Sequence, residues 1–239
     1  MNSNQSSADV VLWDFDGTLV NSAPKNIATT IEVLTAVVPH RIGPNLPRWL
    51  SNEDDYHFAN HTAANWRELY TDFYGLTAEE TDAAGALWGQ YQASNRTPVE
   101  VFEGITCTVT ALAYIPQGIC SQNSSQNIAG VLEDAGVAEH FHSIVGYDQV
   151  PFEHSKPEPY GGLKCLAGIF SELKNKTIFY IGDHEGDVIF TRNIASQVCA
   201  SNRLVSVAVA YSGGQPQDWE NQPDHVIHDP REVINLVDG

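Results

Sequence analysis

Short apolar runs recur along this chain, and several stop abruptly on a carboxylate, a hydroxyl or a glycine. The first, Val10-Val11-Leu12-Trp13, ends at Asp14 with Gly17 close behind. Its apolarity is continuous rather than alternating, which predicts a strand buried on both faces, as in a parallel sheet. Thr177-Ile178-Phe179-Tyr180-Ile181 repeats the pattern and ends at Gly182-Asp183. Leu204-Val205-Ser206-Val207-Ala208-Val209-Ala210 runs out near Gly213-Gly214. Ile144-Val145 is a weaker run, and Val226-Ile227 reads as a last edge strand. Residues 115–120 read as a strand weakened by Pro116 and Gly118, neither of which suits a ladder interior.

Helical periodicity fills the spaces between these runs. Residues 124–135 open on Ser124-Ser125, good N-caps, and place Ile128, Val131 and Leu132 on one face. Residues 158–170 carry Leu163, Leu166 and Ile169-Phe170, and residues 185–198 carry Val188-Ile189, Ile194 and Val198. Strands alternating with helices of this length predict an α/β fold with a doubly wound parallel sheet, Rossmann-like in layout.

Residues 24 to 97 depart from that alternation. Ile27, Ile31, Leu34 and Val38, then Trp66, Leu69, Tyr70 and Phe73, then Leu87, Trp88 and Tyr91 recur at helical spacing, with no strand of comparable strength. The expected organisation is therefore an α/β core over residues 1–21 and 99–239, interrupted by a small all-helical domain over residues 22–98. Two connections, near Asn21-Ser22 and near Pro98 to Gly104, would permit hinge motion.

Composition narrows the choice of function. The chain has 239 residues and a formal net charge of −18, with 42% hydrophobic and 10% aromatic residues. The apolar content favours a folded chain, and the charge disfavours both nucleic acid and an anionic membrane surface as partners. Cys107, Cys120, Cys165 and Cys199 form no C-x-x-C pair, so free thiols in a reducing, cytoplasmic protein are expected, with Cys120 buried. Residues 1–7 have neither the basic nor the apolar stretch of a signal peptide and read as a short flexible leader. No apolar run approaches the ~18 residues of a membrane helix.

Open α/β sheets bind ligands at the carboxyl ends of their strands. Here the ends offer Asp14-Phe15-Asp16-Gly17-Thr18, then Ser121-Gln122-Asn123, then Lys156-Pro157-Glu158-Pro159, then Gly182-Asp183-His184-Glu185-Gly186-Asp187. Singly, Asp14 is a turn former, Ser121 a cap, Lys156 a solvated lysine and Asp187 a helix cap. In succession they gather carboxylates around one cation, chemistry suited to Mg²⁺, a hard ion that prefers oxygen ligands.

Asp14-Phe15-Asp16-Gly17-Thr18-Leu19-Val20-Asn21-Ser22 resembles the first motif of the haloacid dehalogenase superfamily, in its phosphatase branch. Ser121, Lys156-Pro157-x-Pro159 and Gly182-Asp183-x-x-x-Asp187 resemble its later motifs, in the family's order. The helical insert resembles the small cap of phosphoglycolate phosphatases and β-phosphoglucomutases. The resemblance implies a Mg²⁺-dependent phosphatase acting on a small phosphorylated metabolite. By it, Asp14 is the nucleophile and Asp16 the general acid and base. Mg²⁺ is held by Asp14, the backbone carbonyl of Asp16 and Asp183, with Asp187 orienting a metal-bound water. Ser121 and Lys156 complete the catalytic set, and Thr18, Gln122 and Asn123 are expected on the substrate side. Asp16 favours oxygen-ester chemistry, since the dehalogenase and phosphonate-cleaving branches lack this second acid.

Two positions depart from the pattern. His184 stands where Ser or Thr is frequent, and Gln122 replaces a frequent Asn. His154 is read as structural. The helical insert carries Arg41, Arg48, His57, His61 and Arg67. Arg41 or Arg48 is a candidate for an anionic group distal to the phosphate, against local pairing with Glu53, Asp54 and Asp55. Two other functions stay open: a phosphomutase of the β-phosphoglucomutase kind, and a non-catalytic binding protein on the same fold.

Overall fold

The continuous apolar runs form a parallel sheet. In chain order the strands are β1 (Val10–Trp13), β2 (Val20–Asn21), β3 (Glu100–Val101), β4 (Gln117–Cys120), β5 (Phe141–Val145), β6 (Thr177–Gly182), β7 (Arg203–Val209) and β8 (His225–Ile227). The helices are α1 (Ala23–Val37), α2 (Glu53–Thr62), α3 (Trp66–Glu68), α4 (Ala78–Ser94), α5 (Ile105–Ala111), α6 (Ser125–Asp134), α7 (Tyr160–Ile169), α8 (Glu185–Gln197) and α9 (Glu232–Asp238). The structure is a computed structural model and describes residues 8–63 and 65–239, so the leader expected at residues 1–7 lies outside the described residues. The chain divides into two compact units, residues up to Asn21 with Glu100–Gly239, and Ser22–Val99.

In the first unit the sheet order is β5-β4-β1-β6-β7-β8, with every pairing parallel. The chain builds outward from β1 through β4 to β5, then crosses to β6 and builds outward on the other side. Such reversal of winding places ligand chemistry at the carboxyl ends of the central strands. β1, β4 and β6 are buried along their whole length, which is why β1 and β6 read as unbroken apolar runs. Val226 and Ile227 do lie in the edge strand β8.

Pro116 and Gly118 do not prevent the β4 strand. Pro116 precedes it and its carbonyl accepts from the Val11 amide at 3.1 Å. Gly118 lets α7 close on the sheet, since a Cβ there would lie 2.7 Å from Cys165 Sγ. The buried Trp13 indole donates to Gln117 Oε1 at 3.1 Å, and Gln117 Nε2 donates to the Val109 carbonyl at 2.9 Å. A polar chain thus runs through the core fully satisfied and ties α5 to β1 and β4.

The second unit has helices and tight turns but no strand among the described residues. Val33 and Leu34 of α1 are fully buried among Leu50, Tyr56, Leu69, Tyr70, Tyr74 and Leu76. α4 starts at a capping box in which Thr77 Oγ1 accepts from the Glu80 amide at 3.2 Å and Glu80 Oε2 accepts from the Thr77 amide at 2.8 Å. Residues 38–50 form three single 3₁₀ turns rather than a longer helix, and Pro39, Pro44 and Pro47 explain the interruption.

Candidate active site

The site is built in the first unit, on the loops that follow β1, β4, β5 and β6. Trp13 pairs with Ile181 across the β1–β6 ladder, and the Asp14 amide continues that register by donating to the Ile181 carbonyl at 2.8 Å. The chain then folds into a tight turn. The Phe15 carbonyl accepts from the Leu19 amide at 2.9 Å and the Val20 amide at 3.1 Å, and the Gly17 amide donates to the Val20 carbonyl at 3.0 Å. Gly17 has φ +71°, which favours glycine, and a Cβ there would fall 2.1 Å from Asp183 Oδ2. The turn of one loop therefore sits directly against the carboxylate of another.

Asp14, Asp183 and Asp187 bring one carboxylate oxygen each to within 4.8 Å of one another. Lys156 Nζ reaches two of them, 3.1 Å from Asp14 Oδ1 and 2.9 Å from Asp187 Oδ1. The lysine side chain is only 11% exposed, and the rings of Tyr180 and Phe190 lie 5.0 and 5.1 Å from its ammonium. Burial opposes its charge, but Asp14 and Asp187 outweigh that and hold its pKa above the ordinary value. Burial, with Asp187 and Asp14 adding to it, raises Asp183 well above the usual carboxylate range. Burial also raises Asp14 to about 6, against the opposing pull of Lys156.

Three close carboxylates and one ammonium leave net negative charge in a poorly solvated place. Protons relieve it at low pH, and a divalent cation relieves it without protons. The donor set is all oxygen, so the residues present fit Mg²⁺.

Asp16 leans the other way. Its Oδ2 accepts from Asn123 Nδ2 at 2.9 Å. Asn123 is itself locked, its Oδ1 accepting from the Ser124 amide at 2.8 Å and from Asn127 Nδ2 at 3.2 Å. Ser121 follows β4, its amide donating to the Val145 carbonyl at 3.0 Å and its Oγ accepting from the Asn123 amide at 3.3 Å. Gln122 is exposed and its Nε2 donates to the Lys156 carbonyl at 3.3 Å. Thr18 is fully buried and its Oγ1 lies 3.5 Å from Asp183 Oδ1.

His184 caps α8. Its Nδ1 accepts from the Gly186 amide at 2.9 Å, so its ring proton belongs on Nε2, and its own amide donates to Asp187 Oδ2 at 3.2 Å. The imidazole thus does the capping work of a hydroxyl. Asp187 is part of the same box and also holds Lys156. His154 is exposed and stacks on Tyr160 with ring centroids 5.4 Å apart.

The structure brings Asp14, Asp183, Asp187 and Lys156 together, and joins Asp16 to Asn123. Arg41 and Arg48 lie in the other unit, with local partners. Arg41 Nη1 donates to the Tyr74 carbonyl at 3.4 Å, and the Arg48 guanidinium covers the Trp49 ring at 3.8 Å. Arg67 pairs with Asp82. Three aromatic residues at the site carry no sequence signature. Tyr180 and Phe190 floor Lys156, and the Tyr211 hydroxyl donates to the Thr18 carbonyl at 2.6 Å.

Comparison with known proteins agrees with this architecture. The family described as Haloacid dehalogenase-like hydrolase matches residues 11–201, and the chain belongs to it. The chain is 24% identical over 232 residues to Phosphoglycolate phosphatase 1 of Pseudomonas aeruginosa, covering 96% of this chain and 79% of that protein. It is 26% identical over 231 residues to Phosphoglycolate phosphatase of Photobacterium profundum, covering 95% and 94%. A haloacid dehalogenase-like family hydrolase of Streptococcus pneumoniae superposes with TM-score 0.71 at 16% identity, over 95% of this chain and 97% of that one. A hydrolase from Pseudomonas syringae gives 0.68 at 17% identity, over 98% of each chain. These structural likenesses show the shared fold.

Proposed function

We propose that this haloacid dehalogenase-like hydrolase is a Mg²⁺-dependent phosphatase that releases inorganic phosphate from a small phosphorylated metabolite. The observation that carries the reading is the convergence of Asp14, Asp183 and Asp187 on one buried lysine, Lys156, at the carboxyl ends of central strands. The relatives named phosphoglycolate phosphatase support the same reaction class and make phosphoglycolate the first substrate to try.

Asp14, the backbone carbonyl of Asp16 and Asp183 would hold Mg²⁺, which when bound offsets the charge of the dianionic ester and of the attacking carboxylate. Asp14 attacks phosphorus, forming an aspartyl-phosphate as the ester P–O bond breaks. Asp16, held at 2.9 Å by Asn123, delivers its proton to the leaving oxygen. It then takes a proton from the water that attacks the aspartyl-phosphate, and phosphate departs with Asp14 restored. Lys156 stabilises the attacking carboxylate and the phosphoryl oxygens, and Ser121 binds one of those oxygens. The helical unit acts as a cap that selects the substrate, with Arg41 and Arg48 as its candidate anion contacts. Four free thiols accord with a cytoplasmic enzyme. Among the described residues, no helix is long and apolar enough to cross a membrane.

The test is a phosphate-release screen over phosphoglycolate, sugar phosphates, nucleotides and amino-acid phosphates, with and without Mg²⁺. Stoichiometric phosphate that depends on Mg²⁺ is expected. Isomerised hexose phosphate without phosphate release would replace the phosphatase by a mutase. Silence across the whole panel would overturn both.

A further inference from the structure

Asp16 sits in a turn whose outer side is held by two residues distant in sequence. Tyr211 lies two residues beyond the end of β7, and its hydroxyl donates to the Thr18 carbonyl at 2.6 Å. Phe102 follows β3, and its amide donates to the Leu19 carbonyl at 3.1 Å. The two rings meet edge to face, with centroids 5.1 Å apart and planes at 65°. Adjacent carbonyls of the turn are thus tied to a single aromatic pair. Inside the turn, the Phe15 carbonyl accepts from the amides of Thr18, Leu19 and Val20, and Thr18 Oγ1 faces Asp183. Thr18 is fully buried, so its carbonyl has little water to fall back on when a partner is removed.

We infer that Tyr211 is a positioning residue. Through its hydrogen bond to Thr18 it fixes the Asp16–Thr18 turn, and so the direction in which Asp16 presents its carboxyl to the leaving oxygen. The inference rests on the phosphatase reading for its catalytic consequence, but the mechanical hold on the turn stands apart from it. Proton delivery by a general acid is sensitive to alignment, and its loss weighs most on leaving groups that cannot depart unprotonated.

Tyr211→Phe removes the hydroxyl and keeps the ring against Phe102. Two readouts test it. Hydrogen–deuterium exchange of the amides of residues 17–20 is expected to quicken in the variant while the rest of the sheet stays protected. Turnover of an alkyl phosphate is expected to fall about tenfold, with p-nitrophenyl phosphate within about threefold of wild type and KM unchanged for both. Unchanged exchange would overturn the hold, whatever the turnover. Quickened exchange with equal loss on both esters would overturn the link to Asp16. A wild-type protein that releases no phosphate from any ester of the screen removes the phosphatase reading and with it the catalytic link, and the exchange result then decides the hold alone.

Discussion

The two units bury polar groups in different ways. Around the carboxyl ends of β1, β4, β5 and β6, side chains are tied to each other, Asn123 to Asp16 and Lys156 to Asp14 and Asp187, and within the sheet Gln117 is tied to Trp13. In the helical unit the interior is aromatic. Tyr70 meets Tyr74 at 5.1 Å between centroids, and the half-buried Trp49 meets Phe73 edge-on at its margin. The hydroxyls of Tyr74, Thr29 and Thr81 are buried there with no hydrogen-bond partner, as are those of Thr108 and Ser212 in the first unit. Directional bonds position atoms to fractions of an ångström, whereas apolar packing mainly conserves volume. The first unit is organised as a reaction site, and the second as a body whose interior tolerates exchange.

That contrast is open to direct attack. Asp14→Asn should cut turnover by about a thousandfold or more while leaving the melting temperature at or above that of wild type, because it removes the proposed nucleophile and one charge of a crowded cluster. Steady-state kinetics beside calorimetry checks it, and substantial residual turnover would remove the covalent route. Leu34→Ala should destabilise the helical unit by about 3 kcal/mol, since Leu34 is 0% exposed and leaves a cavity. Urea unfolding measures that loss.

The third test concerns pH. In the metal-free protein Asp14 keeps its proton up to about 6, against an ordinary value of 3.8. Between those values the folded chain binds more protons than the unfolded one, so this group's contribution to stability falls as pH rises through the window. Above about 6 the ionised carboxylate gains most from a divalent cation. Thermal stabilisation by Mg²⁺ should therefore be larger at pH 7.5 than at pH 5, where the ion must displace a proton. An equal shift at both values would break the argument. The smallest effect is expected for Tyr74→Phe, whose hydroxyl has no partner to lose. Stability should change by less than about 0.5 kcal/mol, or rise. A larger loss would mean that the helical interior is more directional than its contacts suggest.

Much of the first unit was legible because buried parallel strands leave unbroken apolar runs. β1, β6 and β7 stand where those runs predict. β2 and β3 are two residues each, too short for any periodicity, and α5 and α9, of seven residues each, span only about two turns, too few for a helical repeat to stand out. The acidic residues were visible because their chemistry demands fixed types at strand ends. Tyr211 was not, because a tyrosine contacting a backbone carbonyl 193 positions away leaves no local pattern. The imidazole cap of His184 was equally hidden, since histidine is not among the usual capping residues.

Gly17 has one more consequence, for anyone who would redesign this site. The gap between the β1 turn and the Asp183 carboxylate is narrower than a single methyl group, and the backbone there is left-handed as well. Every other amino acid adds at least one carbon at that point. A mutational library over the motif should therefore find position 17 closed to all of its alternatives, while exposed Gln122 accepts many. Any redesign has to work around that contact, because the contact itself has no smaller or larger setting.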